Sequence, residues 1–395
     1  MTIDRRGFLQ STMLGAAALT VYRERAIAAP RRNRRNALVL IQLAGGNDGL
    51  NTVVPHADPA YAKLRPTIGL KADELLPIDE KIALHGAMAK LHARFQAGEL
   101  AIVQGVGYPH PNRSHFESTA IWQTARLEPH LDPAGWIGRA LPAGGGGAFA
   151  LTGVGGGSLS PALYAPRGGA TQVSSLDAFA AQPSKRHPTD APALMKALTD
   201  VYGAKSADAA AAIARVGRTA LQASDTLKAA ANGYRSSVAY PKGPFGDQLK
   251  LVAQLLSVDL AVRVAHVALA GFDTHANQKK QQEGLLGQLS DGIDALLEDA
   301  AAHGFADRVV VMTYSEFGRR AAENASAGTD HGSGSVLFLA GKGVAGGAFG
   351  AVADLTDLDG GDVRFGVDFR AVYATVLRDW LDLDAEGKGL PLFKG

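Results

Sequence analysis

Five short apolar runs constrain this chain most. Residues 37–43 (ALVLIQL), 100–106 (LAIVQGV), 262–269 (VRVAHVAL), 308–314 (RVVVMTY) and 335–340 (SVLFLA) are continuous rather than alternating, and partly β-branched. A strand with one wet face alternates apolar and polar residues. A continuous run belongs to a strand buried on both faces, as in a parallel sheet covered by helices. Apolar residues at helical spacing predict helices over 245–256, 282–302 and 368–381. Strands alternating with helices predict an α/β fold, a central mostly parallel sheet flanked by helices. The middle reads differently. Glycines crowd 144–147 and 155–157, and alanines crowd 207–231. Residues 142–237 are therefore expected to form a glycine-rich, helical insertion or cap within a domain spanning 37–395.

The chemical signal lies in the loops that adjoin these runs. In an open α/β sheet, ligands sit beyond the carboxyl ends of the strands. The first run leads into Gly45-Gly46-Asn47-Asp48, and the second into Asn112-Arg113-Ser114-His115. The third leads into Asp273-Thr274-His275, and the fourth into Ser315-Glu316-Phe317-Gly318-Arg319. Thr329-Asp330-His331 precedes the last run. Each has an ordinary reading as well. Asp48 is a turn residue beside glycines. Ser114 with Glu117 is a capping box. Glu316 with Arg319 is a local salt bridge, and Asp330-His331 is a turn between glycines. A serine at a helix N-terminus also sits where backbone N–H groups favour an anion. Taken together, the loops bring carboxylates, imidazoles and a hydroxyl to one sheet edge. Imidazole and carboxylate without thiols suit Zn or Mn, with Mg at a carboxylate-rich position.

The N-terminus reads as an address. Arg5-Arg6-Gly7-Phe8-Leu9 precedes a short apolar run and the small-residue stretch Ala26-Ile27-Ala28. That order matches a twin-arginine signal over residues 1–28, with a basic linker over 29–36. The apolar run is shorter than the roughly 20 residues of a membrane span, so no stable span is expected in the mature chain. Export to the periplasm or the extracellular space through the twin-arginine translocase is the expectation. The chain has 40 basic and 38 acidic residues. Cleavage after Ala28 would leave 36 of each, because four arginines, Asp4 and Glu24 depart. A neutral mature chain argues against nucleic acid as a partner. The absence of cysteine rules out disulfides.

The segments LVLIQLAGGNDGLNTVVP, NRSHFES, FDTH, YSEFGRR, GTDHG and DFRAVYATVLRDWL resemble the exported family called domain of unknown function 1501. The resemblance runs from about residue 37 to the C-terminus. That family is placed in the alkaline phosphatase-like superfamily, with sulfatases and cofactor-independent phosphoglycerate mutases. The resemblance implies an alkaline phosphatase-like sandwich and one or two divalent ions. By the same resemblance Asp48, Asp273, His275, Glu316 and His331 would be metal ligands. Ser114 would be the nucleophile, with Arg113 as an anion contact. The spacing departs from the superfamily pattern. Asp273 and His275 stand two apart instead of four, and Glu316 is followed by Phe317 instead of His. One imidazole is missing unless His115 or Asp330 substitutes.

The expected function is metal-dependent hydrolysis of phosphate or sulfate esters, on a small-molecule or polymer substrate. Ser114, Arg113 and His115 are the candidate catalytic residues. The alternative is a non-catalytic periplasmic binding or assembly protein on a degenerate form of the fold. A Ser-His-Asp triad is disfavoured because no Gly-x-Ser-x-Gly elbow surrounds Ser114.

Overall fold

The computed structural model describes residues 35–142, 149–165, 170–175, 234–258, 260–385 and 387–394, with a few isolated positions between 193 and 200. The twin-arginine segment, nearly all of the basic linker and most of the 142–237 stretch lie outside the described residues.

Among the described residues nine strands form the main sheet: β1 (Ala37–Ala44), β2 (Leu100–Gly107), β3 (Leu151–Val154), β4 (Thr171–Val173), β5 (Val264–Ala270), β6 (Val309–Tyr314), β7 (Ser335–Ala340), β8 (Gly347–Phe349) and β9 (Val367–Asp368). Among the described residues the order across the sheet is β8-β2-β7-β6-β1-β5-β3-β4, with β9 also pairing β2. All pairings are parallel except those of β7, which runs antiparallel to both β2 and β6. The fold is thus α/β with a central mostly parallel sheet, as the apolar runs predict. Strands β3 and β4 fall inside the stretch expected to be an insertion or cap. They extend the sheet beyond β5 instead of covering it.

The continuous apolar runs have a simple cause. Successive side chains of a strand point to opposite faces. Val39 and Ile41 enter one layer, with Leu249 and Val252 of α3 (Pro244–Ser257) and Leu289 and Ile293 of α4 (Gln278–Ala302). Leu91 of α1 (Ala89–Gln96) joins the same layer. Leu38 and Leu40 enter the other layer, with Ile121 and Trp122 of α2 (His115–Thr124) and Val372 and Tyr373 of α5 (Phe369–Thr375). Both faces of β1 are covered, so none of its positions tolerates a charge. Residues 245–256 and 282–302 fall within α3 and α4. The closing amphipathic stretch becomes α5 followed by a π-helical turn, Val376–Trp380.

The sheet direction decides where the polar loops go. β1, β5 and β6 end in register, with Ala44 opposite Ala270 and Gln42 opposite Tyr314. β2 reaches the same edge because two antiparallel pairings, through β7, restore the direction of β6. β7 starts at that edge, so the loop before it lies there too. Gly45 makes the closest approach possible. Its φ is +120°, and a Cβ there would fall 2.3 Å from the backbone nitrogen of Asp273. No other residue type combines that backbone conformation with that proximity.

Candidate metal centre

The loop between β2 and α2 carries Arg113 and Ser114, and His115 opens α2. Ser114 is the N-cap of α2, with extended backbone at φ −80° and ψ 129°. Its amide donates to Asn112 Oδ1 at 2.8 Å, but its hydroxyl makes no capping bond. The capping box expected with Glu117 is therefore not formed. Ser114 is exposed, its hydroxyl is free, and no side chain caps the first turn of the helix. Arg113 donates to the buried Asp362 at 2.5 Å and remains 42% exposed. Burial raises the Asp362 carboxyl, and the Arg113 hydrogen bond and charge oppose that rise.

The next residue turns into the cluster. His115 Nδ1 lies 3.1 Å from Glu316 Oε1, and its Nε2 lies 3.5 Å from Asp273 Oδ2. His275 Nε2 is 3.0 Å from Asp273 Oδ1. His331 Nε2 is 3.2 Å from the same oxygen and 2.9 Å from His275 Nε2. Potential ligand atoms of His115, Asp273 and His331, one from each, lie within 4.8 Å of one another. Phe317 packs against the rings of both His115 and His331, at centroid distances of 4.9 and 4.3 Å.

Proton positions follow from the partners. His331 Nδ1 is 2.8 Å from the carbonyl oxygen of Arg113, which only accepts, so Nδ1 carries the proton. His115 Nδ1 faces a carboxylate oxygen of Glu316, and His275 Nδ1 faces Asp330 Oδ1 at 3.4 Å. Each imidazole has an acceptor at Nδ1 and turns Nε2 toward the Asp273 carboxylate, where Nε2 donates when it is protonated and offers its lone pair to an ion when it is not. Lone pairs facing a carboxylate repel unless a proton or a metal ion lies between them. Outer partners on the far nitrogen are how metal-binding histidines are commonly oriented. Burial pushes the Asp273 carboxyl up. Its bonds to Arg319 and His331, with the charges of Arg319 and His275, outweigh that and hold it at about 2. Asp273 is thus a full anion at neutral pH. His115, Asp273 and His331 bring two imidazoles and one carboxylate without sulfur close enough to share an ion, a donor set that suits Zn2+, with His275 Nε2 beside Asp273 and His331.

The other residues singled out in the sequence are placed elsewhere. Asp48 is buried and faces Arg65, with Nη1–Oδ2 at 2.5 Å and Nη2–Oδ1 at 3.0 Å. It also accepts from Gln278 Nε2 and from the Leu50 amide. Both its oxygens are occupied by donors, so in this arrangement Asp48 is bound by a guanidinium and does not join the histidines. Arg65 spends its remaining N–H groups on Asn51 Oδ1 and the carbonyls of Arg320 and Ala321. Glu316 reaches the cluster only through His115. It makes no local salt bridge with Arg319. That arginine is buried and donates to the carbonyls of Gly45, Gly46, Phe272 and Thr329 and to Asp273. Arg65 and Gln278 were not readable as partners of Asp48, because the sequence carries no mark of which distant residue fills a loop. His115, read as catalytic, and Asp330, read as a substitute ligand, do stand at the cluster. His115 turns its Nε2 inward, and Asp330 holds His275 from outside.

The fold and this cluster define an α/β protein with an imidazole–carboxylate centre at the carboxyl edge of its sheet. The chain belongs to the family described as Protein of unknown function (DUF1501), whose model matches residues 35–386. No curated protein matches the sequence at a significant level. Similar solved structures include the phosphonate monoester hydrolase SpPMH from Silicibacter pomeroyi, 11% identical, covering 90% of this chain and 76% of that one at a TM-score of 0.37. The C-terminal periplasmic domain of EcEptC from Escherichia coli, in complex with Zn, is 12% identical, with coverages of 78% and 74% and a TM-score of 0.36. A protein in the alkaline phosphatase superfamily from Vibrio parahaemolyticus is 8% identical, with coverages of 89% and 72% and a TM-score of 0.33. The last of these is described as a member of the superfamily that the sequence motifs resemble. Among the described residues no helix is long and apolar enough to cross a membrane.

Proposed function

We propose that this chain is an exported, metal-dependent hydrolase of phosphate or sulfate esters with Ser114 as its nucleophile. The observation that carries the proposal is the common orientation of His115, His275 and His331. Each has Nδ1 on an acceptor and Nε2 toward Asp273. A divalent ion held by these residues supplies a Lewis acid for a phosphoryl or sulfuryl oxygen. The chain's own groups do the rest. Ser114 presents a hydroxyl free of any capping bond, one residue from His115. Its attack on phosphorus or sulfur forms a serine ester and releases the alcohol, and water then hydrolyses that ester. The first-turn amides of α2 and the half-exposed Arg113 stabilise the charge that builds on the transferred group.

The test is a metal count and a turnover assay on mature protein. Elemental analysis is expected to find one zinc-class ion per chain. Ser114→Ala should abolish turnover on a panel of phosphate and sulfate esters while retaining the metal. Metal-free mature protein, together with no dependence of turnover on Ser114, would sink the reading. The Asp48–Arg65 pair supports a second reading, a non-catalytic periplasmic binding or assembly protein, since it removes one carboxylate from the donor set. A stoichiometric partner in a pull-down, with binding unchanged in Asp273→Ala, would favour that reading.

A further inference from the structure

We propose that Glu316 is a positioning residue that selects which nitrogen of His115 faces the centre, and that it acts from outside the ligand set. The proposal rests on the metal-dependent reading above and assigns to Glu316 a role in that same site. Glu316 is 3% exposed, in the loop after β6. Its Oε1 accepts the Gly45 amide at 2.8 Å and stands 3.1 Å from His115 Nδ1. A carboxylate oxygen with one amide bond still has a lone pair for an imidazole N–H. Bonding there fixes the proton on Nδ1 and leaves Nε2 bare toward Asp273. The other polar contact of the ring is Asp273 Oδ2, 3.5 Å from Nε2, and the closer Glu316 oxygen takes the proton. Phe317 and His331 pack on it at 4.9 and 4.6 Å between centroids, which sets the plane of the ring but not its tautomer.

Two further observations support an outer role. The Glu316 carbonyl accepts the Ser118 hydroxyl, so the residue is tied to the helix that carries His115. Gly45, held by the same Oε1, is the glycine that lets the loop after β1 approach the Asp273 backbone. One carboxylate therefore aligns two loops at the centre. Its Oε2 is buried with no hydrogen-bond partner among the described residues. A half-satisfied buried carboxylate is costly, and a cation on the far side of the imidazole strengthens the bond it does make.

The experiment titrates zinc alone, in competition with a chromophoric chelator, into metal-free wild type, Glu316→Leu, Glu316→Gln and Asp273→Ala. It also reads the His115 tautomer from nitrogen chemical shifts of the metal-free proteins, with the signal assigned by its loss in His115→Asn. Glu316→Leu should bind zinc roughly 10- to 100-fold more weakly and should shift His115 from the Nδ1–H form to a mixture. Glu316→Gln keeps an acceptor oxygen of the same size and should recover the tautomer and part of the affinity. Wild-type affinity and an unchanged tautomer in Glu316→Leu would overturn the proposal. Loss of zinc in Glu316→Gln as complete as in Asp273→Ala would overturn it too, by making Glu316 a ligand. Wild type that takes up no zinc defeats the metal-dependent reading instead, and the tautomer then decides the role of Glu316 by itself.

Discussion

The imidazole of His331 donates from Nδ1 to the carbonyl oxygen of Arg113 at 2.8 Å. This bond joins the loop before β7 to the loop before α2 and leaves His331 Nε2 beside Asp273. Asp273 is the common point of the cluster, because its Oδ1 meets His275, His331 and Arg319. Asp273→Ala is expected to weaken metal binding by more than the roughly 10- to 100-fold that outer-shell losses cause. The fold should survive, since Arg319 keeps four backbone carbonyls as acceptors. Calorimetric metal titration alongside thermal unfolding separates the two effects.

Arg65 presents the opposite case. Its five N–H groups all have acceptors, and two of them neutralise Asp48. Arg65→Met would leave a buried carboxylate without its cation. Breaking a buried pair from one side costs about 3–5 kcal/mol. Urea unfolding of the variant should show a loss of that size, with the midpoint moved and the slope unchanged.

Ser114→Ala separates catalysis from capping. An N-cap serine ordinarily contributes about 1 kcal/mol, but the Ser114 hydroxyl makes no cap bond. The variant should stay within about 0.5 kcal/mol of wild type in unfolding experiments while turnover is lost. A stability loss near 1 kcal/mol with turnover retained would return Ser114 to a structural role.

His266 predicts a pH dependence. It lies on β5, with Nε2 3.1 Å from the Tyr314 hydroxyl, and burial pushes it down to about 4. The unfolded chain takes up a proton near pH 6.5, and the folded chain refuses it until about pH 4. Stability from this group is therefore complete above about pH 6.5, falls as pH drops toward 4, and levels off below. The loss is about 3 kcal/mol by linkage. His266→Gln should flatten that part of the curve, as measured by urea unfolding between pH 4.5 and 7.5.

The sheet was legible in the sequence because burial on both faces writes itself as an unbroken apolar run. Residues 335–340 predicted a strand, but nothing in SVLFLA signals that it runs antiparallel. Direction is set by the loops on either side and by neighbours far away in the chain. Residues 151–154 and 171–173 escaped notice because short strands among glycines carry little pattern. At the centre, Asp273, His275 and His331 stood out by chemistry beside turns. The pairing of Asp48 with Arg65 did not, since a buried arginine looks like a surface one in a sequence. The orientation of each imidazole depends on a partner such as the Arg113 carbonyl, and a carbonyl has no side chain to read.

The antiparallel β7 has a consequence for the order in which the molecule is built. Among the described residues β2, and with it the segment bearing Arg113, Ser114 and His115, connects to β6, β1 and β5 only through β7. A nascent chain that has not yet delivered residues 335–340 has β1, β5 and β6 available for pairing, but lacks the bridge that carries His115 to Asp273. The centre is therefore a seal on the assembled sheet, and a bound ion would report that the two sides of the molecule have been joined.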